Sequence, residues 1–264
     1  KNIKPDPDDV STLCIERDFT PQAIKKFYEE TFPRAPDWAI PKFERSGYNP
    51  PKKPPIFESK EEMNPYLRDV FMLVDEDEMS IRDDMFSQAG IKYGMLMTIA
   101  RRRYVYKYAW AIPCKAALEA ITKEGPIVEV GAGSGYWAHL LSQMGCDIIA
   151  YDIEKENRYA LSGPTSFHHR WFEVIQGDEK SAARHPDRAL FLCWPPYGET
   201  MAYNCLKSYK GDTVIFVGED RGGCNGDDKF FDHLEEHFHE VESIEIPVWW
   251  GLHDRLYIFK RNKK

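Results

Sequence analysis

The sequence predicts an α/β fold: seven strands alternating with helices, behind an N-terminal helical cap. Three observations carry the prediction. The stretch Gly125–Asp152 reads as strand, glycine turn, helix and a second strand that closes on an acid. Further apolar runs of strand length follow it, with helical stretches and turn residues between them, the alternation that builds a parallel sheet. Prolines crowd the first 58 residues and break any long element there.

Residues 1–58 hold one short helix, Gln22–Thr31, with Thr20-Pro21 as its cap and first position, and an extended strap over Asn49–Ile56. Trp38, Phe43 and Tyr48 give this segment apolar anchors. Residues 59–125 read as helical. Ser59-Lys-Glu-Glu62 has the form of a capping box, and apolar periodicity covers Tyr66–Val74, Met79–Gly90 and Lys92–Tyr108. Ala109-Trp-Ala-Ile-Pro113 interrupts the last of these, and Pro113 fits the first turn of a new helix ending near Thr122. The expected organisation is a cap over residues 1–110 and a sheet domain over 111–264.

The first two strands are Pro126–Val130 and Cys146–Tyr151. Between them Gly131, Gly133 and Gly135 let the backbone turn tightly and approach a ligand without a Cβ in the way. The helix Tyr136–Met144 opens directly after the glycines, so its first N–H groups face whatever sits in the turn. A dinucleotide fingerprint would be G-x-G-x-x-G; here the spacing is E-x-G-x-G-x-G.

That pattern resembles the class I S-adenosylmethionine-dependent methyltransferases, and the resemblance covers residues 110–264. It implies a Rossmann-like sheet, parallel except for an antiparallel last strand, and S-adenosyl-L-methionine as the cofactor. By the same resemblance Glu129 would sit near the methionine end of that cofactor. Gly131, Ala132, Gly133, Gly135 and Tyr136 would pass close to its ribose and methionine. Asp152 would accept hydrogen bonds from the ribose hydroxyls; no basic residue that would suit a phosphate lies near it.

After Asp152, Asn157–His169 reads as a loop with a Gly163-Pro164 turn and a His168-His169 pair. The remaining strands are expected at Trp171–Gln176, Ala189–Trp194, Thr213–Val217, Glu242–Val248 and Arg255–Arg261. Helices are expected at Met201–Tyr209 and Phe230–Phe238. Gly177-Asp178 follows the third strand. In the family an acid at this point contacts the adenine amino group, which gives Asp178 that role by resemblance.

In an open α/β sheet, ligands bind beyond the carboxyl ends of the strands. That rule gathers Glu129, Asp152, Asp178, Trp194-Pro-Pro-Tyr197, Glu219, Asp220 and the link Trp249-Trp-Gly-Leu-His-Asp254 on one rim. A pocket rich in aromatic rings and acids suits a flat or cationic acceptor. Trp194-Pro195-Pro196-Tyr197 resembles the Asn/Asp/Ser-Pro-Pro-aromatic signature of methyltransferases acting on amino groups of adenine, cytosine or glutamine. There the first side chain and the proline carbonyl accept hydrogen bonds from the amino group, and the aromatic ring stacks on the substrate. Trp194 can donate but not accept, which leaves Pro195 and Tyr197 to keep their parts. Methyl transfer rests on alignment in a closed, dry site, with a base only where the acceptor must lose a proton. Glu219, Asp220 and His253 are the candidates for that base.

His233-Leu-Glu-Glu-His237 has the H-x-x-E-H order of inverted zinc proteases. Phe230, Phe231, Leu234 and Phe238 give the same stretch a full apolar face, so a packing helix is expected there and no metal. The six cysteines, Cys14, Cys114, Cys146, Cys193, Cys205 and Cys224, form no C-x-x-C pair. That scatter argues against a disulfide framework or zinc knuckle and for reduced thiols in the cytoplasm, with Cys146 and Cys193 in strand cores. No apolar stretch has membrane-spanning length. The net charge of -8 at pH 7 argues against a partner of bulk nucleic acid. Arg101-Arg102-Arg103 and the tail Lys260–Lys264 are the basic stretches through which one would be reached. The expected activity is methyl transfer to a nitrogen or oxygen of a small molecule or protein. Nucleic-acid amino-group methylation and a non-catalytic partner module are the alternatives.

Overall fold

The computed structural model describes residues 62–71, 101, 104–105, 107–153, 170–249 and 252–263. The expected helix Gln22–Thr31, the strap Asn49–Ile56, Ser59 to Glu61 of the capping box, the helix Met79–Gly90, Arg102, Arg103, the Asn157–His169 loop and Trp250 lie outside them. The chain divides into two units. One takes in residues 57–67, 105–248 and 252–264 and carries the sheet. The other takes in 1–56, 68–104 and 249–251, where the described rings of Tyr104 and Trp249 stack 5.9 Å apart.

The strands are β1 (Ile127–Val130), β2 (Ile148–Asp152), β3 (Val174–Gln176), β4 (Ala189–Cys193), β5 (Thr213–Gly218), β6 (Phe238–Glu245) and β7 (Arg255–Arg261). They form one seven-stranded sheet in the order β3-β2-β1-β4-β5-β7-β6. The pairs from β3 to β5 are parallel. Strand β7 runs antiparallel to both β5 and β6, so it alone is reversed. The expected Rossmann-like sheet with an antiparallel last strand is therefore present. Strand order reverses between β1 and β4, the place where open α/β sheets open a crevice.

The described helices are α1 (Pro65–Phe71), α2 (Lys115–Lys123), α3 (Tyr136–Gln143), α4 (Met201–Ser208) and α5 (Asp228–His237). All four residues of β1 and the first four of β4 are buried, as a strand covered on both faces requires. Val128, Val130, Leu190, Leu192, Val214 and Phe216 meet Ala202, Cys205 and Leu206 of α4 and Phe230, Phe231 and Leu234 of α5 in one apolar core. On α3, Trp137 meets Phe191 edge-on, 5.6 Å apart.

Several boundaries differ from the sequence reading. Strand β3 starts at Val174, not Trp171, because Trp171 is tied elsewhere: its N–H donates to the Ser134 carbonyl and its Nε1 to the Lys107 carbonyl. Strand β6 starts at Phe238, directly after α5, and ends before Pro247, which has no N–H for a ladder. A bulge between Glu240 and Glu242 interrupts its pairing with β7. Pro113 precedes the N-cap, Cys114, instead of lying in the first turn of α2. Helix α1 starts at Pro65, and Glu62 lies in a turn where it pairs with Lys115 at 2.5 Å.

Gly135 ends the glycine turn with φ +76, and a Cβ there would lie 2.9 Å from Phe172 Cβ and 3.0 Å from Val174 Cγ2. The left-handed backbone costs an L residue about 1–2 kcal/mol, and the overpacking adds a similar amount. Gly135→Ala is expected to lower the thermal midpoint by several degrees, read in a simple melt. An unchanged melt would contradict the close approach of the turn to β3.

Candidate functional site

A cleft of about 520 Å³ opens at the carboxyl ends of β1, β2 and β4, within the sheet-bearing unit. One wall is the glycine turn with Asp152 and the segment Gly177-Asp178-Glu179. Cys193-Trp194-Pro195-Pro196, the start of α4 and the segment Tyr108-Ala109-Trp110 complete the lining. That volume falls in the range of small-molecule and cofactor sites, about 300–1,000 Å³.

The turn is folded back onto the end of β2. Gly131 N–H and Ala132 N–H donate to the Tyr151 carbonyl at 2.8 and 3.0 Å, and Gly133 N–H donates to Asp152 Oδ2 at 2.8 Å. Ser134 Oγ donates to the Tyr108 carbonyl. Gly131 has φ +83, and a Cβ on it would come within 2.9 Å of Met201 Cε. These contacts bring Asp152 and the glycine backbone to the same edge of the cleft, as the spacing predicts.

Glu129 lies on the cleft floor and is 1% exposed. Burial, and after it the charge of Asp152, push its carboxyl up to about 8. Two buried polar atoms of the lining lack a hydrogen-bond partner among the described residues: the acceptor Glu129 Oε2 and the donor Trp137 Nε1. Native interiors rarely leave such atoms unsatisfied. Asp178 also lines the cleft, where its Oδ1 accepts the Lys180 N–H at 3.0 Å and caps the short 3₁₀ turn Glu179–Arg184.

The Tyr136 side chain is not part of the lining. Its ring is buried against Tyr66, Tyr108 and Trp171, and its hydroxyl donates to Asn64 Oδ1 and accepts from the Tyr66 N–H. It anchors the segment ahead of α1 to α3, so any approach of this residue to a cofactor would be through its backbone. Cys193, expected in the strand core, ends β4 at the cleft, where burial, then Glu129 and Asp254, hold its thiol well above the usual range. Cys146 precedes β2 and is half-buried.

The Trp-Pro-Pro-Tyr stretch departs most from the sequence reading. Trp194 has φ +52, the one positive value on a non-glycine residue among those described. Its indole stacks on Trp110 at 5.2 Å with the rings 15° apart, and its Nε1 donates to Asp254 Oδ1 at 2.8 Å. The Pro195 carbonyl accepts the Gly226 N–H at 3.1 Å, while the Tyr197 side chain lies outside the lining and the residue is 74% exposed. The motif's first acceptor and its stacking ring are thus replaced by a tied indole and a solvent-facing phenol, while the Pro195 carbonyl, bonded once, keeps a second lone pair. Asp254→Ala removes the bond that anchors the strained Trp194. A loss of about 1–3 kcal/mol and a red-shifted tryptophan emission are expected; an unshifted spectrum would contradict the anchor.

Glu219, Asp220 and His253 do not line the cleft. Burial alone would raise the Glu219 carboxyl, but N–H bonds from Cys224 at 2.8 Å and His253 at 2.9 Å hold it below its ordinary value. It braces the loop after β5, and the His253 side chain is 85% exposed. Trp249 is buried against Tyr104 and is likewise absent from the lining. On α5, Phe230, Phe231 and Leu234 are buried while the rings of His233 and His237 lie 4.2 Å apart on its outer side. No group of three or more potential metal ligands occurs among the described residues.

Residues 199–204 supply lining that the sequence reading missed: Glu199, Thr200, Met201 and Asn204. Their position just after the Pro-Pro stretch, at the start of a helix, was the available signal.

With this strand order and a glycine turn beside the crevice, the chain is a Rossmann-like α/β protein. No family model and no curated protein matches the sequence. Solved structures similar to it include a protein of the NADB-Rossmann superfamily from Streptococcus agalactiae, at 17% identity over 59% of this chain and 72% of that one, TM-score 0.39. The N-methyltransferase NodS from Bradyrhizobium japonicum, in complex with S-adenosyl-L-homocysteine, is 14% identical over 56% and 85%, TM-score 0.38. The magnesium protoporphyrin IX methyltransferase from Synechocystis, with bound S-adenosylmethionine, is 10% identical over 72% and 99%, TM-score 0.37. Similarity at this level carries no argument about the ligand of the present chain. No helix of the described residues is long and apolar enough to cross a membrane.

Proposed function

We propose that this chain is an S-adenosyl-L-methionine-dependent methyltransferase of class I, acting on a nitrogen or oxygen of an acceptor held against the Trp110–Trp194 wall. One observation carries the reading. A single cleft beside an E-x-G-x-G-x-G turn holds a buried orphan acceptor, Glu129 Oε2, and a buried orphan donor, Trp137 Nε1. That pair suits a group bearing both an ammonium and a carboxylate, as the methionine end of this cofactor does.

The cofactor supplies a methyl group already activated on a sulfonium. Asp152 would accept from the ribose hydroxyls while still holding the Gly133 N–H, since a carboxylate has lone pairs for both. Asp178 would meet the adenine amino group on the same terms. Gly131, Ala132, Gly133 and Gly135 would give the backbone its close approach. The indoles of Trp110 and Trp194 would exclude water and orient the acceptor. The tied Trp194 side chain and the solvent-facing Tyr197 run against the nucleic-acid amino-group alternative.

Calorimetric titration of the folded protein with S-adenosylmethionine, S-adenosylhomocysteine and NAD tests this. Binding of the first two and not the third is expected. Selective binding of NAD, or of none of them, would overturn the proposal.

A further inference from the structure

The cleft has a one-sided charge. Five carboxyl side chains line it, Glu129, Asp152, Asp178, Glu179 and Glu199, and no Lys, Arg or His does among the described residues. Side chains of one sign in a concave, partly dry site focus their field on whatever enters. Glu129 adds its charge to that field only in its ionised form, since burial and then Asp152 push its carboxyl up to about 8, so the other four side chains carry the field near neutral pH.

The aromatic part of the lining adds a second preference. Trp110 and Trp194 both line the cleft and lie nearly parallel. The Trp194 N–H is directed to Asp254. What the wall offers an acceptor is then indole surface, which attracts cations more strongly than any other side-chain ring. Glu199 follows the Pro-Pro turn on this same side and is exposed. The cleft's volume matches one drug-sized ligand, so the room beside a bound cofactor suits a compact molecule.

We propose that the acceptor is a small organic amine that enters as a cation, its body against the Trp110–Trp194 wall and its charge facing Glu199, a carboxylate the cofactor does not use; that the ammonium releases its proton to water by way of Glu199 before the neutral nitrogen takes the methyl group and the sulfonium leaves as a neutral thioether; and that phosphorylated acceptors are rejected. The assignment rests on the methyltransferase reading for the word acceptor, but the charge selectivity of the cleft is testable without it.

The test uses a panel of aromatic amines such as phenethylamine, each with its matching alcohol and phosphate ester. Binding is read from quenching of tryptophan emission, with and without S-adenosylhomocysteine, in the wild type, Glu199→Gln and Trp194→Leu. The amines are expected to bind about tenfold more tightly than the alcohols, with the phosphates weakest. Glu199→Gln should narrow that gap, and Trp194→Leu should weaken the amines most. Rising salt should also narrow the gap.

Alcohols or phosphates that bind as well as the amines, or no binding by any of the panel at millimolar concentration, would overturn the proposal. Stronger binding of lysine- or arginine-bearing peptides than of the small amines would overturn the small-molecule assignment. If the amines bind selectively while S-adenosylhomocysteine does not, the charge selectivity stands and the methyltransferase reading falls.

Discussion

Glu129→Gln is expected to remove most of the loss of stability that the wild type suffers between pH 5 and pH 8. The carboxyl of Glu129 is buried at the end of β1, and burial followed by the charge of Asp152 pushes it up to about 8 from an ordinary value of 4.5. Between those two values the folded chain keeps a proton that the unfolded chain has released. Stability therefore falls as pH rises through this window, by as much as about 1.4 kcal/mol per unit, or roughly 3–5 kcal/mol over its full width. Glutamine has no proton to lose, so the melting temperature of the variant should change much less over the same range. Parallel pH dependences of the two proteins would contradict the buried, unpaired carboxyl. The same change should cost affinity. In the wild type, binding of the cationic cofactor is expected to strengthen as pH rises toward about 8, because the ionised form is the one that meets a cation. The variant should bind roughly tenfold or more weakly at pH 8, the scale of a charged hydrogen bond, with a flat profile. Raised stability with lost binding is the signature of a group kept for function at a cost to the fold.

Asp152→Ala is expected to abolish measurable cofactor binding in a protein that still folds. Asp152 closes β2, where Gly133 N–H donates to its Oδ2 at 2.8 Å. Alanine removes the carboxylate proposed for the ribose and also the acceptor that holds the glycine turn. Charge-assisted hydrogen bonds contribute about 1.5–3 kcal/mol each, so losing two weakens binding by roughly 100-fold or more. Asp152→Asn keeps an acceptor for Gly133 without the charge and should fall between the two. A calorimetric titration of all three proteins, each checked by a melt, decides the matter. Wild-type affinity in a folded Asp152→Ala would remove this residue from the site.

The glycine-turn side of the cleft was more legible in the sequence than the Trp110–Trp194 side. Glycines in tight succession and an acid closing the next strand are local features, and the chain brings Gly133 and Asp152 into contact as their positions suggest. Strand β7 falls at the expected residues because it is apolar through most of its length and pairs on both sides. Strand β6 does not: it is an edge strand with most residues exposed and a bulge at its middle, so hydrophobic pattern carries little of its register. The Trp110–Trp194 wall depends on contacts between distant residues. Trp194 meets Trp110 and Asp254, 84 and 60 positions away, and no local pattern ties them together. Glu219 looked like a base because it ends near the rim, yet its oxygens are spent on the N–H groups of Cys224 and His253. Tyr197 looked like a stacking ring because of its neighbours, yet it faces solvent beside Gly198, whose N–H donates to the Gly226 carbonyl.

The central claim is that the cleft between the glycine turn and the Trp110–Trp194 wall is where S-adenosylmethionine binds. Hydrogen exchange read by mass spectrometry, with and without saturating S-adenosylmethionine, tests it most directly. Protection is expected in the peptides covering residues 129–136, 152–153 and 176–180, with little change across β6 and β7. Protection confined to other segments, or an unchanged exchange pattern at saturating cofactor, would contradict the account.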